Sequence, residues 1–131
     1  MNSDLPVGKV TYLFAAGLPP DNTTSVMIAI EPMSTLVFTH NQMVEVEIKG
    51  IKQTVTDYHE FSRIKTTVNG REATIIDWEG TYPQVGKKHN FQMLILVGKN
   101  AWVVGCNTTP EESSKWKDDF QSIVRSLRIL K

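Results

Sequence analysis

The sequence predicts an α/β protein of the α+β type. The expected architecture is a three-layer α/β/α sandwich, with a central, mostly antiparallel sheet of about six strands flanked by two helices. Four stretches carry that expectation. Residues 93–97, MLILV within the strand-like NFQMLILVG, and 101–104, AWVV, are apolar at consecutive positions. Alternate side chains of a strand point to opposite faces, so both sides of these strands need cover. The last segment, TPEESSKWKDDFQSIVRSLRIL, repeats Trp116, Phe120, Ile123, Val124 and Leu127 at helical spacing and supplies one cover. Residues 43–55, MVEVEIKGIKQTV, decide whether there is a second. Val44, Val46 and Ile48 alternate with charged residues as in a strand, while Val44, Ile48, Ile51 and Val55 recur as in a helix. The alternation soon stops, whereas the helical pattern persists with Met43 on the same side, so a helix is predicted over 39–56. A strand there would leave one sheet face bare.

The other elements follow in order. VGKVTYLFAAG (7–17) and SVMIAIEPM (25–33) read as two strands, joined through the turn formers of LPPDNTT (18–24). Thr39 with Gln42 fits a capping box at the start of the first helix. Within it, Gly50 weakens the helix by up to about 1 kcal/mol relative to alanine, and Val46 is poorly placed. Asn69-Gly70 suits a type I′ turn, because both central residues need positive φ; it predicts a hairpin of 60–68 with 71–79. GTYPQVGKKH (80–89) reads as a loop, followed by strands about Gly98-Lys99-Asn100. Thr109 as N-cap, Pro110 at the first helical position and Glu112 completing a capping box open the last helix. Glu111 and Glu112 near its start and Arg125 and Arg128 near its end suit the helix dipole.

At 131 residues the chain is expected to form one domain, 1–131. Lys+Arg and Asp+Glu both number 14, which argues against bulk electrostatic binding to nucleic acid or an anionic membrane. The single cysteine, Cys106, rules out an intrachain disulfide. The longest apolar runs are too short to cross a bilayer, and MNSDLPVGKV has neither part of a signal peptide.

No catalytic, cofactor or metal signature stands out. Asp57, His59 and Glu60 lie together in DYHE, but no second half of a ligand set follows, and His40, His59 and His89 read as exposed loop residues. Cys106 ends an apolar strand, where cysteine acts as a small hydrophobe. Asp77 and Glu79 share a strand face as a solvated rim flanking Trp78. GLPP and GKKHN lack phosphate-loop spacing. Long loops carry function more often than elements do, so 17–24 and 80–89 are the preferred interaction surfaces. Candidate partner contacts are Trp78 and Tyr82, bracketing the second loop, and its basic tip of Lys87, Lys88 and His89. For Trp78, core packing is the stronger reading.

The element order β-β-α-β-β-β-β-α, with Val68, Gly70 and Ala73, then Thr109 and Glu111, then Phe120, Ile123, Ser126, Leu127 and Ile129, resembles the PsbP-like superfamily over about residues 23–131. That superfamily takes in PsbP-related proteins, DcrB-type bacterial lipoproteins, a fungal Ran-binding protein and chaperones of type VI secretion effectors. The resemblance implies a sheet flanked by helices and a non-enzymatic accessory or protein-binding role, with an effector chaperone as the alternative and a metal-dependent hydrolase a remote third. It favours the cell envelope, with a lipid anchor upstream, over the cytoplasm. Relatives usually carry an earlier strand, and its lack here would leave an open sheet edge and a weak homodimer through it.

Overall fold

The computed structural model describes residues 11–16, 24–33, 36–37 and 39–126, and side chains are not described for the first of these segments. The elements are β1 (Thr11–Ala16), β2 (Ser25–Pro32), α1 (His40–Thr54), β3 (Thr56–Val68), β4 (Arg71–Tyr82), β5 (Gly86–Val97), β6 (Asn100–Thr108), one 3-10 turn (Pro110–Glu112) and α2 (Ser113–Ser126). The strands join in one sheet in the order β1-β2-β6-β5-β4-β3, with antiparallel neighbours throughout.

The disputed stretch is helical. Gln42 N–H donates to Thr39 Oγ1 at 3.1 Å, and Thr39 N–H donates to Gln42 Oε1 at 3.0 Å, so the capping box is complete. Met43, Val44 and Ile48 are buried, and Val46 faces solvent, as a helix requires. Asn69 and Gly70 both have positive φ (53° and 78°) and turn β3 into β4.

Sheet alternation divides the core in two. Ile76, Trp78, Leu94, Ala101 and Val103 pack with Met43, Val44 and Ile48 beneath α1. Ala73, Phe91, Met93, Ile95 and Val104 pack with Phe120 and Val124 beneath α2. Trp116 and Ile123 flank the second cluster, completing the described part of the predicted stripe; Leu127, with Arg128 and Ile129, lies outside the described residues. Glu112 N–H donates to Thr109 Oγ1 at 3.3 Å, while the Glu112 carboxylate lies 3.4 Å from Lys115 Nζ. No described helix is long and apolar enough to cross a membrane. The β3 edge carries two register shifts together with Arg63 and Lys65, features that discourage strand pairing with another chain.

The expected loop at 80–89 is a correction. β4 runs through Tyr82 and β5 begins at Gly86, leaving a three-residue turn in which Gln84 takes positive φ (67°). Gly80 is not a loop glycine. A Cβ there would lie 2.7 Å from Val55 Cγ2 and 3.0 Å from Trp78 Cζ3, so its bareness lets the end of α1 settle on β4. Gly80→Ala is expected to cost about 2 kcal/mol by overpacking, read as a lower urea midpoint with unchanged slope. Of the other proposed surface loop, residues 17–23 lie outside the described residues.

Candidate ligand cleft

α1 lies across β3, β4 and β5 and leaves part of the same sheet face open toward β2 and β6. The register explains the hollow. Gly105 on β6 stands between Met27 on β2 and Gln92 on β5, and it contributes no side chain to the floor. A Cβ on Gly105 would sit 3.5 Å from Gln92 Cγ, an ordinary contact, so the space is open rather than enforced.

Two lobes result. The first, about 330 Å³, is lined by Met27, Tyr82, Val85, Lys88, Asn90 and Asn107 among others. The second, about 620 Å³, runs along α1 past Glu31, Met33, Glu47, Ile51, Trp78 and Val103. Met27, Tyr82 and Gln92 line both, so the two form one cleft. Concave, largely apolar surface with a few placed polar groups is the usual form of a binding site.

The polar groups have distinct states. Asn107 Nδ2 donates to Asn90 Oδ1 at 2.8 Å. Asn90 is 3% exposed, and among the described residues its Nδ2 has no acceptor in full bonding geometry, the Tyr82 hydroxyl being the oxygen beside it. Burial pushes the Tyr82 hydroxyl above its ordinary range, against the amides of Asn90 and Asn107 beside it. Gln92 Oε1 is occupied by the Trp78 indole N–H at 3.1 Å. In the second lobe, burial pushes the Glu47 carboxyl up to about 8, and a hydrogen bond to Glu31 and its charge add to the rise. Among the described residues, neither Glu31 nor Glu47 has a cation within ion-pair distance.

The residues singled out from sequence separate by strand parity. Tyr82 and Lys88 line the first lobe, and Trp78, 1% exposed, forms a wall of the second. Lys87 and His89 go to the opposite face because β5 already includes them. His89 is not a solvated loop residue. It is buried, with Nε2 against Asp77 Oδ1 and Nδ1 2.9 Å from Glu79 Oε2. Asp77 and Glu79 are therefore partners of an imidazole, and Lys87 Nζ adds a contact of 3.8 Å to Glu79. Phe61 stacks on the His89 ring at 5.3 Å. His40 is also no loop residue. It opens α1, bonds Thr74 Oγ1 at 2.7 Å, and is lowered in pKa chiefly by burial.

The DYHE residues part company as well. Glu60 accepts from Tyr58 Oη at 2.8 Å and from Arg63, whereas His59 packs edge-on against Phe61. Among the described residues, no group of three or more histidine, cysteine or acidic side chains is arranged to hold a metal. Cys106 is buried, and burial pushes its thiol up to about 11, away from a nucleophilic thiolate.

Sequence reasoning missed Glu31, Glu47, Asn90, Asn107 and Gly105. For two of them a signal existed. Glu31 continues the alternation of Met27 and Ala29, and Glu47 stands four residues from both Met43 and Ile51. Each places a carboxylate where an apolar side chain is expected.

The sequence matches no family model and no curated protein. Solved structures do share its fold. PA94 of Pseudomonas aeruginosa, a protein of unknown function suggested to be a regulator, superposes with a TM-score of 0.76 at 13% identity, covering 94% of this chain and 84% of its own. Cyanobacterial PsbP (CyanoP) from Synechocystis gives 0.63 at 8% identity, covering 91% of this chain and 82% of its own. The Ran-binding protein Mog1p of Saccharomyces cerevisiae reaches 0.49 at 11% identity over 79% of this chain and 58% of its own, too loose a match to bear on function. The chain has a PsbP-like fold, and at these identities the likeness extends to the fold alone.

Proposed function

We propose that this chain is a non-catalytic accessory module that binds a protein partner, and that the cleft beside α1 is its recognition surface. The observation that carries the reading is the continuity of the two lobes through Met27, Tyr82 and Gln92. Methionine walls adapt to varied side chains, and the amides of the floor offer orientation without reactivity. The groups most able to do chemistry are otherwise committed: His89 to two carboxylates, and Cys106, which borders the first lobe, to the core beneath α2.

The test is photo-crosslinking in native cells. A benzoylphenylalanine replaces Val85 at the cleft mouth or Ile64 on exposed β3, both more than half exposed. A discrete adduct is expected from position 85 and not from position 64. Gly105→Leu, which fills the floor, is expected to abolish it while leaving the melting temperature within a few degrees of wild type. No discrete adduct from position 85, or one indifferent to Gly105→Leu, overturns the proposal.

A further inference from the structure

The two ends of the cleft differ in chemistry. One end holds facing carboxylates on β2 and α1, Glu31 and Glu47, with no cationic partner among the described residues. The Glu31 carboxylate disfavours a second negative charge on Glu47 beside it, and a cation entering between them relieves the repulsion. The other end holds the buried Asn90 Nδ2, which among the described residues has the Tyr82 hydroxyl beside it but no acceptor in full bonding geometry, with Lys88 in the same lobe. A buried donor without an acceptor is costly, and a ligand oxygen would satisfy it. Lys88 disfavours a second cation there.

The separation of the ends follows from the register. Glu31 pairs with Ala101 on β6, and Ala101 pairs with Leu96 on β5. Asn90 lies on β5 six positions before Leu96. Six positions of strand span about 20 Å, the length of an extended segment of about six residues. Between the ends the wall is apolar, with Met27, Tyr82 and Val103.

Resting on the binding-module reading, we infer that the ligand is an extended peptide segment with a lysine or arginine docking on Glu31 and Glu47. Its far end presents a carbonyl or carboxylate oxygen to Asn90 Nδ2. The residues between are small or apolar, to suit the methionine and tyrosine walls.

The experiment is selection from a library of extended hexapeptides displayed with free carboxyl termini, against the wild-type chain and three variants. Wild type is expected to enrich peptides with a basic residue toward the amino end at least tenfold over those with a neutral one. Glu31→Gln and Glu47→Gln are each expected to bring that preference below threefold while apolar selection persists. Asn90→Leu is expected to weaken binding without changing the basic preference. Enrichment without a basic preference, or a preference that survives both glutamine variants, overturns this inference and leaves the binding-module reading intact. No enrichment from wild type also overturns it, and if the position-85 adduct is absent too, that reading falls with it.

Discussion

Trp78→Ala is expected to lower the free energy of unfolding by about 3–5 kcal/mol, the range for deleting a large buried aromatic. The indole is 1% exposed and sits on β4 beneath α1. Its ring lies 5.4 Å from Tyr58 and 6.4 Å from Tyr82, and it crowds the bare Gly80 against Val55. Deletion removes the transfer free energy of the ring and leaves a cavity that the strand on one side and the helix on the other cannot close. It also strips Gln92 Oε1 of its donor. Urea unfolding should show a lowered midpoint with little change of slope. Trp78→Phe keeps an aromatic ring and should cost markedly less. A loss under about 1 kcal/mol for the alanine variant would show that α1 is not anchored on this residue. Because Trp78 is also a wall of the larger lobe, its variants cannot separate folding from binding; Gly105→Leu can.

The elements legible in the sequence are those written by local chemistry. Thr39 and Gln42 mark a helix start with their own side chains, and Asn69-Gly70 marks a turn by the φ angles it tolerates. The stretch 80–89 misled because glycine and proline mark turns only on average. Gly80 is bare for a tertiary reason, the approach of Val55, that no short window contains. Once β5 begins at Gly86, parity alone sends Lys88 to the α1 face and Lys87 and His89 to the other. A shift of a few residues in one boundary thus turned a proposed basic tip into two unrelated sites. The cleft was less legible still. Its floor is Met27, Gly105 and Gln92: the last two face each other across one hairpin, and Met27 joins them from a strand far off in sequence, aligned only by register.

Glu47 is expected to make stability fall as the pH rises from about 5 to 8. Its folded-state carboxyl is pushed up to about 8 from an ordinary 4.5, first by burial and then by Glu31. Below the ordinary value both folded and unfolded chains hold the proton, and the stabilising contribution is fully present. Between the two values the unfolded chain releases the proton and the folded chain keeps it, so each step upward favours unfolding. Above the folded value that contribution is gone. The loss across the window is on the order of 3 kcal/mol. Two other groups act differently. Glu60, lowered chiefly by its hydrogen bond to Arg63, contributes above the ordinary carboxyl range and loses that contribution only at more acid pH. His40, lowered chiefly by burial, gains stability as the pH rises toward 6.5 and partly offsets Glu47 there. The measurement is therefore a difference: urea unfolding of wild type and Glu47→Gln at intervals from pH 5 to pH 8.5. The difference should shift steadily in favour of the glutamine variant, because glutamine stays neutral at every pH. A constant difference would mean that Glu47 ionises freely in the folded chain. A basic peptide in the cleft should act in the same direction as the substitution. Its cation stabilises the ionised pair, so it should raise the melting temperature more at pH 8 than at pH 6.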